Sequence, residues 1–403
     1  MHLNVYNWAL NTHPVQIKKA SFIRGLFYCL ILVVMIAIVN GKFFIDDNLI
    51  TGQSIFIKNG KIVKISADQI LDRYEVVDAK GGYITPGFTD LQIYGSGGNL
   101  FSAYPMADTL RQMDNDLSAK GTTGFLACVA TNSKEIVSKC IEAAKAYRNE
   151  ARGFWGLHLE GPYINSKRRG AHIEAYVRKA SLDEVKELLD RAEGTVKMMT
   201  LAAELQDDSV INYLLDNKVV LSLGHSDANF EEATAAYNKG FKTTTHLFNA
   251  MSAIHHRAPG LPVAAFSHPE AMASIIVDGS HVDFEVIKMS HRLMTGRLFL
   301  ITDAVTECQV GPYQHQLSGE KFITPDGTLS GSNITMLQAV SNCVRHCDIS
   351  LNDAFKMASL YPSRLMGISS KTGSLTVNSS ANLLLLSDSL ELGKVFAYKS
   401  NFI

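Results

Sequence analysis

Six cysteines among 403 residues (Cys29, Cys128, Cys140, Cys308, Cys343 and Cys347) are too few for a disulfide scaffold. No Cys-x-x-Cys pair marks a zinc finger or a thioredoxin-like site. A reducing compartment, the cytoplasm, is the expected location. An excess of charge of one sign is missing too. The 38 basic and 39 acidic side chains leave a formal net charge of -1, without the basic footprint of a nucleic-acid binder. The chain has no internal repeat and no low-complexity linker. Its apolar run from Leu26 to Val39 stops at 14 residues, short of the roughly 20 that a membrane-spanning helix needs. What the chain does have is 46% hydrophobic against 19% charged residues, enough to bury a large core in one big domain or two modest ones.

Residues 1-34 carry Lys18, Lys19 and Arg24 and no acid, which resembles a signal peptide, yet no A-x-A-like cleavage site follows. The second half of the apolar run, from Met35, reads as a first β-strand that turns at Asn40-Gly41 and pairs with Ser54-Ile-Phe-Ile-Lys, whose own turn is Asn59-Gly60. A dispensable extension over 1-34 is therefore favoured over a membrane anchor or a cleaved signal, and membrane attachment is not expected. From Met35 to about Ile84 the text is short strands and turns. Eight apolar strand-like runs alternating with helix-like stretches come next: Gly87 to Ile93, Thr123 to Val129, Gly153 to Glu160, Val196 to Ala202, Val219 to Gly224, Lys242 to His246, Ala273 to Asp278 and Leu298 to Asp303. Ser181-Leu-Asp-Glu184 reads as a capping box for a helix that stops at Gly194. Such alternation predicts an α/β fold, a (β/α)8 TIM-like barrel over 85-371. Short strands return at Ser374-Leu-Thr-Val, Leu383 to Leu386 and Val395-Phe-Ala-Tyr. They predict a small β-sandwich formed by both terminal segments, 35-84 and 372-403.

Residues able to bind a metal or move a proton stand at the ends of these runs. Glu160 closes Trp155-Gly-Leu-His-Leu-Glu, His225 follows Val219-Val-Leu-Ser-Leu-Gly, His246 follows Thr243-Thr-Thr, and Asp303 closes Leu298-Phe-Leu-Ile-Thr-Asp. In a barrel those ends form one face, where active sites sit. A lone His or Glu at a strand end is usually just hydrogen-bonded; four at four separate strand ends point to a shared site. One carboxylate and two imidazoles leave a fourth position open, the pattern of a catalytic rather than structural zinc. Asp303 is placed to take a proton from water activated there. The set predicts metal-assisted hydrolysis, and pattern alone names neither substrate nor bond.

His158-Leu-Glu-Gly-Pro162, Gly224-His-Ser226, Thr245-His-Leu-Phe-Asn-Ala-Met251, His256-Arg257, Asp278-Gly-Ser-His-Val282 and Thr302-Asp-Ala304 together resemble the N-acetylglucosamine-6-phosphate deacetylases of the amidohydrolase superfamily. The resemblance runs from about Met35 to Tyr398. It implies that Glu160, His225 and His246 bind one divalent metal ion, zinc first with Fe, Co or Mn as other choices, and that Asp303 is the acid and base. It implies that His172, in Arg169-Gly-Ala-His, polarises the acetamide carbonyl. By the same resemblance Asn249 and Ala250 bind the sugar phosphate, and Arg257 and His281 complete the phosphate and sugar contacts. In the family the matching arginine reaches across from the second subunit, so the resemblance implies a homodimer, acting on a small-molecule amino-sugar phosphate in amino-sugar catabolism or cell-wall sugar recycling.

Two departures bear on the chemistry. Many members of the superfamily carry His-x-His at the end of the first strand for a second metal. Here Gln92 and Tyr94 stand in Phe88-Thr-Asp-Leu-Gln-Ile-Tyr94, so a single tightly bound metal is expected. Ala258 in Arg257-Ala-Pro-Gly260 replaces the family's glutamate, which bears on phosphate affinity rather than on chemistry. The rival readings are a deacetylase of a related substrate such as N-acetylgalactosamine 6-phosphate, a hydrolase of cyclic amides, and a non-catalytic homologue. The cyclic-amide enzymes need the missing His-x-His, and the non-catalytic reading predicts eroded ligands, whereas all four are present.

Overall fold

The computed structural model describes residues 35–399. The expectations for 1-34 lie outside the described residues. Met35–Val39, the end of the apolar run, is a β-strand whose three central residues are buried. It lies inside a four-stranded sheet, antiparallel to Ser54–Lys58 with Met35 opposite Lys58 and parallel to Glu75–Asp78. A small hairpin, Phe43–Ile45 with Asn48–Ile50, fills the chain between the two paired strands. At the next turn Asn59 and Gly60 take φ of +51° and +73°, the conformation a two-residue hairpin demands and Asn-Gly accepts.

The C-terminal segment joins this unit as expected. Leu383–Leu386 pairs with Tyr83–Pro86 on one side and Leu392–Phe396 on the other. Ile36, Ile38, Ile55 and Ile57 share one apolar cluster with Leu383, Leu385 and Phe396. Two local readings need correction. Ser374-Leu-Thr-Val forms no strand and leads into a turn closed by the Ser379 N–H on the Thr376 carbonyl (3.1 Å), and the last strand begins at Leu392, before Val395.

Eight parallel strands follow one another in chain order around the barrel: Phe88–Ile93, Thr122–Ala130, Phe154–Glu160, Val196–Leu201, Val220–Leu223, Thr243–Thr244, Met272–Ile276 and Leu298–Ile301. After each comes a helix: Ala107–Ala119, Lys134–Tyr147, Leu182–Ala192, Asp208–Asp216, Phe230–Asn238, Gly260–Ser267, Phe284–Leu293 and Met336–His346. Every residue of Thr122–Ala130 and Phe154–Glu160 is buried, as befits parallel strands covered on both faces. A fully buried side chain such as Leu157 contributes about 1.5–3 kcal/mol.

The seam between the first and eighth strands is closed by few bonds. The Asp303 N–H donates to the Gln92 carbonyl and the Tyr94 N–H to the Ala304 carbonyl, each at 2.9 Å. The buried Asp90 carboxylate adds to them, accepting from the Gln92 N–H (3.1 Å), the Thr302 N–H (3.3 Å) and the Thr302 hydroxyl. The sixth strand is shorter than the expected Lys242 to His246 because His246 leaves the extended conformation at φ +33°. Only half of the Ser181 capping box forms. Ser181 Oγ accepts from the Glu184 N–H (3.2 Å), while the Glu184 carboxylate turns to Arg178.

Candidate active site

The C-terminal ends of the strands open on a cavity of about 210 Å³. Glu160, His172, His225, His246, Asn249, Ala250, His281 and Asp303 all line it. Their backbones explain how strand-end residues come to point inward. His225, His246, Ala250 and Asp303 have φ of +46°, +33°, +50° and +54°. Such left-handed turns cost a non-glycine residue on the order of 1–3 kcal/mol, and they cluster where function requires them.

Glu160, with a side chain 2% exposed, is the hub. Its Oε1 lies 3.1 Å from His246 Nε2 and 3.4 Å from His225 Nε2, and the two imidazole nitrogens are 3.0 Å apart. Donors held 2.0–2.2 Å from a tetrahedral ion lie about 3.3–3.6 Å from one another, so these three atoms, 3.0–3.4 Å apart, need spread only by a few tenths of an ångström to share one cation. Glu160, His172 and His225 also bring donors within 4.8 Å of one another, so distance alone does not choose between His172 and His246. Hydrogen-bond partners do choose. His225 Nδ1 faces the Arg168 carbonyl at 2.9 Å, which only accepts, so Nδ1 carries the proton and Nε2 keeps its lone pair for a metal.

His172 has the opposite tautomer. Its Nδ1 accepts from the Thr131 N–H (3.3 Å) and lies 2.7 Å from the Thr131 hydroxyl, which can donate to it as well, so Nε2 is the N–H and points at Glu160 Oε2 from 3.1 Å. It is a hydrogen-bond donor to the site. Among the described residues His246 Nδ1 has no hydrogen-bond partner, so nothing opposes the tautomer that frees Nε2. The donor set fits a divalent cation held by Glu160, His225 and His246.

Electrostatics separate the two carboxylates. Burial opposes the charge of Glu160, yet the surrounding imidazoles, with the His172 Nε2–H donating to it, hold it well below its usual range. Burial pushes Asp303 well above the usual range, and the charges of Glu160 and Asp90 add to the shift. Burial, with His225 close by, lowers His172 to about 4, so it works as a neutral donor. One neighbouring carboxylate is thus charged and the other inclined to hold a proton, the division of labour that acid–base chemistry needs.

Several contributors were not assigned a role from sequence. Gln92 and Tyr94, expected only to be poor ligands, are restraints. Gln92 Nε2 spans Glu160 Oε1 (2.8 Å) and Asp303 Oδ1 (2.6 Å), and the Tyr94 hydroxyl donates to Glu160 Oε2. Tyr313, on the segment after the eighth strand, donates to the Thr131 carbonyl (2.6 Å) and so braces the residue that sets the His172 tautomer. His158 is a core histidine between the Leu91 carbonyl (3.0 Å) and Thr200 Oγ1 (2.7 Å). No local motif marks Thr131 or Tyr313, because their role exists only once distant segments meet.

The remaining expected residues divide. Asn249 and Ala250 line the cavity, with Asn249 Nδ2 turned to the His246 carbonyl (3.2 Å). His281 lines it too, but its ring nitrogens are engaged by Asp278 Oδ2 (2.6 Å) and the Ser330 carbonyl (2.7 Å). Arg257 is exposed and is not among the lining residues of its own chain's cavity.

Residues 83–402 match the model of the Amidohydrolase family. The chain is 31% identical over 365 residues to the human N-acetylglucosamine-6-phosphate deacetylase, covering 84% of this chain and 89% of that protein. It is similar to the crystal structure of the Pasteurella multocida enzyme of that name, with TM-score 0.86, 30% identity and coverage of 91% of this chain and 98% of that one. A third likeness is to a point mutant of the Mycobacterium smegmatis enzyme in complex with N-acetyl-D-glucosamine-6-phosphate. There the TM-score is 0.83 and the identity 27%, covering 90% of this chain and 97% of that one.

Proposed function

From a chain that belongs to the N-acetylglucosamine-6-phosphate deacetylases of the amidohydrolase family, we propose how its own residues carry out that reaction. The protein hydrolyses the acetamide of N-acetylglucosamine 6-phosphate to acetate and glucosamine 6-phosphate. Glu160, His225 and His246 hold one divalent cation, zinc by the preference of two imidazoles and a carboxylate with one open position. When bound, that ion supplies an activated water and draws electron density from the amide carbonyl.

Asp303 accepts the proton of the attacking water and hands it to the departing amine, as its raised proton affinity favours. The His172 Nε2–H donates to the carbonyl oxygen as negative charge grows there. Gln92 holds Asp303 and Glu160 in register. Asn249 and Ala250 take the phosphate end. Exposed Arg257 reaches the cavity of a second subunit in a homodimer, where its planar fork suits phosphate. The neighbouring Ile254, 47% exposed, supports a covered role for that loop. We place the enzyme in the cytoplasm, in line with buried free thiols at the five cysteines among the described residues.

The observation that carries this reading is the convergence of one carboxylate oxygen and two imidazole nitrogens within 3.0–3.4 Å beside a second buried carboxylate, Asp303, tied to Glu160 through the Gln92 amide. Acetate release from N-acetylglucosamine 6-phosphate, its unphosphorylated form and its galactosamine epimer, with metal content measured on the same protein, tests it. Turnover of the phosphorylated glucosamine with one metal per chain is expected. Preference for the epimer would move the substrate assignment, and absence of bound metal in an active enzyme would overturn the site.

A further inference from the structure

We propose that Glu204 is a positioning residue for His225, setting the grip of the site on its cation. This rests on the assignment of His225 as a ligand. Glu204 lies on the short turn Ala203–Leu205 after the fourth barrel strand, outside the cavity. It touches none of the reacting groups, and what it holds is the two segments that enclose the His225 ring.

The first segment is the turn that carries His225 itself. Glu204 Oε2 accepts from the Ser226 hydroxyl (2.7 Å), and Glu204 Oε1 accepts from the Asp227 N–H (2.9 Å). These are the two residues that follow His225, whose φ of +46° makes the turn costly to hold unaided. The second segment presents the partner of the ring. The Arg168 carbonyl that fixes His225 Nδ1 belongs to the turn Ser166–Arg168, capped by Asn165. Asn165 Nδ2 donates to the same Glu204 Oε1 at 3.0 Å.

The two segments also meet each other. The Asn165 N–H donates to the His225 carbonyl (2.8 Å), and Arg168 Nε donates to Asp227 Oδ1 (2.8 Å). One carboxylate thus ties together the backbone that aims the imidazole and the backbone that chooses its tautomer. Outer groups of this kind orient metal ligands, and their loss typically weakens metal binding by about 10–100-fold. A glutamine at this position keeps an oxygen for the Asn165 and Asp227 donors and offers N–H₂ to Ser226 Oγ, which can accept. The shape of the clamp matters, then, more than its charge.

The test is zinc binding by the full chain, read by competition with a chromogenic chelator and without any turnover assay. The dissociation constant should rise about 10–100-fold in Glu204→Ala and stay close to wild type in Glu204→Gln. The metal-free forms of both should melt near the wild-type temperature. His225→Ala is the control for the underlying assignment: if it binds zinc as wild type does, the ligand reading fails first. If His225→Ala loses the metal but Glu204→Ala binds it unchanged, the role of Glu204 is overturned. The role is equally overturned if affinity falls only in step with the melting temperature and glutamine does not rescue it. Should Glu204→Ala not fold, Glu204→Asp, which retracts the carboxylate by one methylene, replaces it with the same expected direction.

Discussion

His172 and His225 are the same side chain 4.3 Å apart between ring centres, and their outer nitrogens give them opposite duties. The Arg168 carbonyl facing Nδ1 leaves His225 Nε2 with a lone pair that can bind a metal, whereas the Thr131 N–H facing Nδ1 leaves His172 with an Nε2–H to donate. The two carboxylates divide in the same way through burial and neighbouring charge. Asp303→Asn preserves the shape and the bond from Gln92 but cannot accept a proton from water. It should keep its metal by elemental analysis while kcat falls by about 10²–10⁴-fold. Substantial turnover with metal bound would remove Asp303 from the proton path.

The eighth and first strands meet at a seam where a buried acid stands in for ladder bonds. Burial raises Asp90 to about 7, while bonds from Thr302 and Gln92 limit the rise. Burial lowers His158, and likewise His315, to about 4. The signs oppose one another. Below about 6.5 the unfolded chain protonates its histidines while these two stay neutral in the fold, so their contribution is lost as pH falls toward about 4. Asp90 takes up its proton in the fold at higher pH than in the unfolded chain, so its contribution grows as pH falls from about 7 to about 4. Asp90→Asn removes that compensation. Chelator-treated Asp90→Asn should therefore lose stability more steeply than wild type between pH 7 and pH 5, read from urea midpoints. An unchanged slope would show that Asp90 titrates normally.

In the whole molecule, Arg257 sits outside the cavity of its own chain, so the phosphate role proposed for it requires the proposed second copy. Arg257→Ala should raise KM for N-acetylglucosamine 6-phosphate about 10–100-fold, with kcat less affected. Mixing Arg257→Ala subunits with Asp303→Asn subunits should restore activity. In the hybrid dimer one site has its own Asp303 and the partner's arginine. Failure of the mixture to recover, with hybrids demonstrated by native mass spectrometry, would return Arg257 to the surface.

Much of this was legible along the chain. Period and punctuation placed all eight barrel strands, because a strand buried on both faces must be apolar throughout and its polar end residue then stands out. Glu160, His225, His246 and Asp303 were visible for that reason. Asn59-Gly60 declared its turn because few other pairs tolerate two positive φ values. What the amino-acid order did not decide was any role that depends on which partner faces an atom. Gln92, read as a failed ligand, became the bridge between two carboxylates. Asp90 became part of the closure of the barrel seam, and Thr131, Tyr313 and Glu204 became supports for histidines on other segments. Sequence determined the barrel and which polar residues close its strands, since burial and backbone conformation are local demands on residue type. Tautomer, proton affinity and aim were decided only when segments far apart in the chain were brought within hydrogen-bond distance, because those properties belong to pairs of residues rather than to single ones.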